Sequence, residues 1–228
     1  MTPKAKKAYK GLPLEGFLAR WYARNTGKDI GEYREHARKI AGMLAEDASV
    51  LEVAPGPGYL AIELAKLGSF RVVGLDISET FVRMASENAA KTGVAVAFHH
   101  GDAAHMPFDH DSFDLIVCRA AFKNFSEPVG ALNEMYRVLR AGGKALILDL
   151  RPDASTDAID AHVKNMKLGW GSSLMTKWIL NMLRKRAYSR EQLQHMASQT
   201  PFKTCEIREE SLGFEVVLKK EPHGEKVC

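Results

Sequence analysis

Apolar residues change their spacing twice along this chain. Between residues 12 and 46 they recur at helical intervals, with Leu14, Phe17, Leu18 and Trp21 on one stripe and Ile40, Met43 and Leu44 on another. Thr26-Gly27 interrupts the pattern, so one or two helices are expected here. From Ser49 the spacing becomes that of short apolar runs alternating with helical segments. Strands are predicted over Ser49–Ala54, Arg71–Leu75, Val94–His99, Phe113–Cys118 and Lys144–Leu150. Helices are predicted to Leu67, from Glu79 to Lys91 and from Glu127 to Leu139, with a turn at Arg140-Ala141-Gly142-Gly143. Such alternation implies a parallel sheet, and the Leu/Ile/Val content of the fifth strand indicates burial on both faces.

After Arg151-Pro152 the pattern is helical through residues 155–186, rich in Met, Leu and Trp, and reads as an insertion rather than a second domain. Phe202–Arg208 and Gly213–Lys219 supply two last strands, close enough in sequence for an antiparallel hairpin. The expected architecture is α/β: a doubly wound, Rossmann-like seven-stranded sheet, mostly parallel with a C-terminal antiparallel hairpin, and helices on both faces. One domain is expected over residues 1–228. Its parts are an N-terminal helical cap (1–46), a core carrying the candidate site (49–150), a helical insertion (151–188) and C-terminal strands (189–220).

Composition alters this picture little. With 46% hydrophobic and 26% charged residues, there is material for a core and no case for disorder. The net charge of +4 is spread along the chain. Its densest runs, Lys4, Lys6, Lys7 and Lys10, and Arg184-Lys185-Arg186, are too short to indicate nucleic acid. Cys118, Cys205 and Cys228 lack metal-ligand spacing, so no metal site is expected. A lysine-rich start without an apolar run, and no stretch near the roughly 18 apolar residues of a membrane span, set the expectation of a cytoplasmic protein not integral to a membrane.

Candidate chemistry begins where the first strand ends, in Leu51-Glu52-Val53-Ala54-Pro55-Gly56-Pro57-Gly58-Tyr59. Glycines in a strand-to-helix turn let a ligand approach the backbone and the free N–H groups of the helix start. About eighteen residues on, Val72-Val73-Gly74-Leu75-Asp76 puts a carboxylate at the end of the second strand, where an acid can accept both hydroxyls of a ribose. A nicotinamide dehydrogenase would have a third glycine where Ala61 stands, but alanine is tolerated there, so the stretches downstream decide.

Glu52 through Gly58 resembles the glycine motif of class I methyltransferases, and Asp76 matches that family's ribose-binding acid. Gly101-Asp102-Ala103 resembles its adenine loop. Met106-Pro107-Phe108 and Asp111-Ser112-Phe113-Asp114-Leu115-Ile116 are similar to its run into the fourth strand, and Glu134 through Gly143 to the helix and turn before the fifth. The likeness spans roughly residues 49–150 and lies nearest the branch of ubiquinone and menaquinone biosynthesis. It departs at Ala54, where the family commonly has glycine, and Pro55 and Pro57 stiffen the turn.

The resemblance implies an enzyme that uses S-adenosylmethionine, leaves S-adenosylhomocysteine, and methylates a small organic acceptor at oxygen, nitrogen or carbon. The cofactor-binding residues it implies are Tyr22, Ala54, Pro55, Gly56, Gly58, Asp76, Ile77, Asp102, Ala103 and Arg119. Tyr22 and Tyr33 would close over the cofactor from the N-terminal helices, with core packing as the alternative. For Arg119 a surface ion pair is the alternative to a cofactor contact. Lys123 and Asn124 read as solvated loop residues or as substrate contacts. His99, His100 and His105 read as structural or exposed, His105 being nearest the site. Glu52 is expected to order the turn.

No catalytic residue is assigned, so a module that binds the cofactor or its product without turnover is the competing reading. Nucleic-acid methylation is disfavoured, because Arg119-Ala-Ala-Phe stands where an Asn-Pro-Pro-Tyr-like tetrad would be. Met166, Trp170, Met175, Trp178, Ile179, Met182 and Leu183 read as a core or homodimer face, or as the lining of an apolar pocket. The Arg184-Lys185-Arg186 run reads as a solvated face, with steering toward an anionic substrate or a membrane surface as the alternative.

Overall fold

The computed structural model describes residues 9–10, 15–16, 19–20, 23–24, 27, 30–166 and 169–222. Among these, seven strands form one sheet: β1 (Ser49–Val53), β2 (Arg71–Asp76), β3 (Ala97–His100), β4 (Phe113–Arg119), β5 (Leu139–Leu150), β6 (Glu206–Glu209) and β7 (Gly213–Lys219). Their order is β3-β2-β1-β4-β5-β7-β6. The first five pair in parallel; β7 runs antiparallel to β5 from Lys144↔Lys219 to Leu150↔Gly213, and β6 pairs with β7 as a hairpin. The expected seven-stranded topology is the one observed. The strand order reverses between β1 and β4, which opens a crevice at the carboxyl ends of those strands.

The described helices are α1 (Ile30–Ala41), α2 (Tyr59–Ala65), α3 (Glu79–Thr92), α4 (Pro128–Val138), α5 (Thr156–Asn165), α6 (Trp170–Arg184) and α7 (Arg190–Ser198). Every residue of β1 is buried, because both faces of the sheet are covered. Leu51, Val53, Ile116, Cys118 and Ile147 face Leu132 and Met135 of α4 and Leu193 of α7. The alternate residues Val50, Leu115, Val117 and Leu146 face Ala37 and Ile40 of α1 and Leu60 and Leu64 of α2. This period of two across the sheet divides the core into two halves. No described helix is long and apolar enough to cross a membrane.

Local chemistry sets the helix ends. The Ser78 hydroxyl accepts from the Phe81 N–H at the start of α3, and Gly93 closes that helix in the left-handed region. Pro128 opens α4. Residues 189–220, expected to hold strands only, begin instead with α7. Ser189 and Gln192 form a reciprocal capping box, and Leu193, Met196 and Ala197 are buried at helical spacing. Phe202 consequently leaves the expected strand and meets Tyr136 edge-on, with ring centroids 5.0 Å apart. The expected turn at Arg140–Gly143 lies inside β5: Leu139 already pairs with Phe113, and a register shift before Leu115↔Lys144 absorbs the extra residues.

Two features of the core are under close steric or electrostatic control. At Gly74 a Cβ would lie 2.4 Å from Phe98 Cδ1 and 3.1 Å from Pro55 Cγ, so the β3 ring occupies the space that a side chain on β2 would take. On the other side of the crevice Lys123, almost wholly buried, donates its Nζ to Asp149 Oδ1 (2.6 Å) and to the Ala120 carbonyl (2.6 Å). Its backbone N–H donates to Asp149 Oδ2 (2.8 Å). The loop after β4 is thereby fastened to the end of β5.

Gly74→Ala is expected to lower stability by about 1–3 kcal/mol in urea denaturation, and Phe98→Leu in the same chain to return part of that loss. Lys123→Met leaves the Asp149 carboxylate in a largely dry site without its cation and is expected to cost about 3–5 kcal/mol. Adding Asp149→Asn should recover a measurable fraction.

Candidate functional site

The turn that leaves β1 is held in an uncommon backbone shape. Ala54 (φ +57°), Gly56 (φ +55°) and Gly58 (φ +80°) all lie in the left-handed region. For Ala54 this costs about 1 kcal/mol relative to glycine, and the Ala54 N–H compensates by donating to the Leu75 carbonyl at 2.8 Å. Gly58 is fixed by space as well as by φ, since a Cβ there would meet Ala85 Cβ and Phe98 Cζ at 2.8 Å. As the N-cap of α2, Gly58 has no side chain to offer. Glu52 does this work from the strand: its Oε2 accepts the Ala61 N–H at 2.8 Å. Burial pushes the Glu52 carboxyl up to about 7, against the pull of that N–H and of Arg119.

Asp76 ends β2 beside this turn. Its Oδ2 accepts the Gly56 N–H (2.9 Å) and its Oδ1 the Ser78 N–H (2.9 Å), so one carboxylate joins the glycine turn to the start of α3. Burial pushes Asp76 up to about 6, the two N–H groups opposing it only in part. Ile77 follows, 39% exposed at the rim, and its carbonyl is 3.1 Å from His100 Nε2.

The loop after β3 brings a second acid to the same edge. The Gly101 N–H donates to the Asp76 carbonyl (3.0 Å), and Asp102 Oδ1 accepts the Ala104 N–H (2.9 Å). Ala103 packs against the core, and His105 is largely exposed, 3.6 Å from Asp102 Oδ2. The loop is fastened from below by α4. Glu134 Oε2 accepts the Met106 N–H (2.8 Å), and Arg137 donates to the carbonyls of Phe108 (2.7 Å) and Met106 (3.0 Å) while paired with Glu134. Two stretches that stand apart in sequence, Met106–Phe108 and Glu134–Arg137, form one hydrogen-bonded unit.

Arg119, at the end of β4, is ion-paired with Glu32 of α1 and lies over the Tyr33 ring, 4.7 Å from its centroid. Tyr33 meets Tyr59 edge-on at 5.5 Å, and the Tyr59 hydroxyl donates to the Ala23 carbonyl. Lys123 and Asn124 are both buried; Lys123 is committed to Asp149, whereas Asn124 Oδ1 and Ser126 Oγ are buried without a hydrogen-bond partner. His99 packs edge-on against Phe108. Tyr22 lies outside the described residues.

The structure adds Tyr9, which sequence reasoning passed over because it precedes the first apolar periodicity. Tyr9 bridges to Phe125, and the Lys10 N–H donates to the Asn124 carbonyl (2.7 Å). Burial raises the Tyr9 phenol above its ordinary value; Arg186 pulls it down, and the Asp76 and Asp149 carboxylates push it further up. The N-terminal segment therefore reaches the carboxyl edge of the sheet between the two sides of the crevice.

Ala54–Gly58, Asp76, Ile77, Asp102, Ala103 and Arg119 thus come from four loops to one edge. A family profile described as a methyltransferase domain matches residues 51–147. The chain is 36% identical over 160 residues to the demethylmenaquinone methyltransferase of Deinococcus radiodurans, covering 67% of this chain and 66% of that protein. To the ubiquinone/menaquinone biosynthesis C-methyltransferase UbiE of Bdellovibrio bacteriovorus it is 35% identical over 118 residues, 51% of this chain and 50% of the relative. It spans about half to two thirds of the length of such relatives. Among solved structures, a chain from Methanococcus maripaludis proposed to be an S-adenosyl-L-methionine-dependent methyltransferase superposes with a TM-score of 0.75 at 22% identity, over 96% of this chain and 98% of that one, which shows a shared fold. Fold, motif order and these relatives converge: the chain belongs to the class I S-adenosylmethionine-dependent methyltransferases of the UbiE-like type.

Proposed function

We propose that the chain is an enzyme that transfers the methyl group of S-adenosylmethionine to a small organic acceptor of the quinone class, the class that its relatives' names indicate. The observation that carries the cofactor assignment is the state of Asp76. Its carboxyl is out of water with one N–H on each oxygen, and burial outweighs those two bonds. Each oxygen keeps a lone pair for a further donor, which is what the paired hydroxyls of a ribose supply. The donor set fits the cofactor's ribose end.

In this reading Asp76 takes the ribose, with Ile77 beside it, and Asp102 and Ala103 receive the adenine. The backbone of Ala54, Pro55, Gly56 and Gly58 passes close to the sulfonium end. Arg119 and Tyr22 serve the carboxylate of the methionine part, Arg119 shared with Glu32. When bound, the cofactor supplies an electrophilic methyl. The chain contributes the approach of the acceptor in line with it and the exclusion of water, with α1 and the Tyr9 segment covering the crevice.

Calorimetric titration with S-adenosylmethionine and S-adenosylhomocysteine tests this reading. Wild-type protein should bind both, and Asp76→Ala should weaken binding about 100-fold or more, the loss of two hydrogen bonds to a charged group. Unchanged affinity in that variant would remove the assignment, and failure to methylate any quinone-type acceptor while binding is intact would leave a binding module.

The pH dependence has opposite signs for ligand binding and for the free protein. Cofactor affinity should fall as pH drops through about 6, where Asp76 gains its proton, and Asp76→Asn should flatten that profile. Because the folded carboxyl sits above its ordinary 3.8, its stabilising contribution is fully present below that value and lost as pH rises through about 6. The rise in melting temperature given by S-adenosylhomocysteine should therefore be larger at about pH 8 than at about pH 5.

A further inference from the structure

Helix α6 has no buried residue along its whole length. Trp170 is 83% exposed and Trp178 62%, and Leu174, Met175 and Met182 are exposed with them. At about 100° per residue these five positions and Gly171 fall within about 140° of the helix circumference, and the one polar side chain in that sector, half-buried Asn181, is turned to its own helix, donating to the Lys177 carbonyl (2.8 Å). The opposite face, with Ser173, Leu180 and Arg184, is half-buried against the rest of the chain; Lys177 bridges to Asp160 of α5 (2.9 Å) and Arg184 donates to the Ala154 carbonyl (2.6 Å). The outward face is therefore a fixed apolar stripe. Two tryptophans at such exposure present several hundred Å² of ring and chain, more than scattered surface apolar residues account for.

Charge identifies the occupant. Residues 164–186 contain Lys164, Lys167, Lys177, Arg184, Lys185 and Arg186, and no Asp or Glu. Lys164, Lys185 and Arg186 are exposed. A second copy laid face to face on this helix would bring two such basic segments together, which opposes self-association. An anionic bilayer satisfies both properties at once, since it accepts Trp, Leu and Met below its headgroups and attracts lysine and arginine at them.

We propose that α6 is a peripheral docking face for anionic phospholipid membranes. The chain leaves β5 for α5 and α6 at the same carboxyl edge of the sheet where β2 ends in Asp76. An apolar acceptor would then reach the crevice from the bilayer without crossing water.

Co-sedimentation of the full chain with vesicles of equal parts phosphatidylglycerol and phosphatidylcholine tests this, with pure phosphatidylcholine vesicles alongside. Wild-type protein should pellet with the anionic vesicles, with a blue shift in tryptophan emission, and release as salt is raised. The double variants Trp170→Ser/Trp178→Ser and Lys164→Glu/Lys185→Glu should each weaken partitioning about tenfold or more. Wild-type protein left in the supernatant overturns the proposal, as does tight vesicle binding by the double tryptophan variant. A dimer that Trp178→Ser dissociates, without vesicle binding, would assign the face to a second copy. Lipid binding is read without cofactor or acceptor, so its failure leaves the methyl-transfer reading untouched.

Discussion

The hydrogen bond from the Gly56 N–H to Asp76 Oδ2 holds the candidate site in one shape. It fixes how far the end of β2 lies from the turn leaving β1, and the other oxygen of the same carboxylate sets the start of α3 through Ser78. A buried carboxylate is an expensive tie, and Glu52 on β1, accepting the Ala61 N–H, makes a second one at the same turn. Both acids sit above the ordinary carboxylate range because their N–H partners offset desolvation only in part. Such groups define geometry at some cost in stability, as sites built for a further polar partner do.

The rest of the crevice is held by ties of the same kind. Glu134 and Arg137 support the loop that carries Asp102 from beneath, and Lys123 with Asp149 secures the loop after β4. Glu32 and Tyr33 bring α1 onto Arg119. Each fastens a loop to a helix or strand, so the loops of the candidate site need not rely on their own short-range structure.

How much of this was legible in the chain follows from the range of each interaction. Strand order and the doubly wound topology are written in the alternation of runs and turns, and Asp76 is marked by its position after a second apolar run. The capping box of helix α7, Ser189 to Gln192, stands in the sequence, but the helix is short and its buried positions, Leu193, Met196 and Ala197, are few beside the apolar strand runs that follow. The burial of Lys123 was illegible, since Lys123 stands in the loop after β4 and its partner Asp149 lies twenty-six residues away in β5. The same holds for Arg119 and Glu32, and for Tyr9, whose placement depends on a bridge to Phe125 across most of the site domain. Residues paired over long distance carry no local signature.

The two margins of the sheet share a property with consequences for how the molecule meets others. Its outermost strands, β3 and β6, are only four residues long, and they end in histidines on one side and carry Glu206, Arg208 and Glu209 on the other. Short, polar borders offer little template for another chain's backbone. Among the described residues the long exposed apolar stripe is instead on a helix, α6, whose interior N–H and C=O groups bond along the helix itself. The molecule can therefore be adhesive without being prone to polymerise strand upon strand.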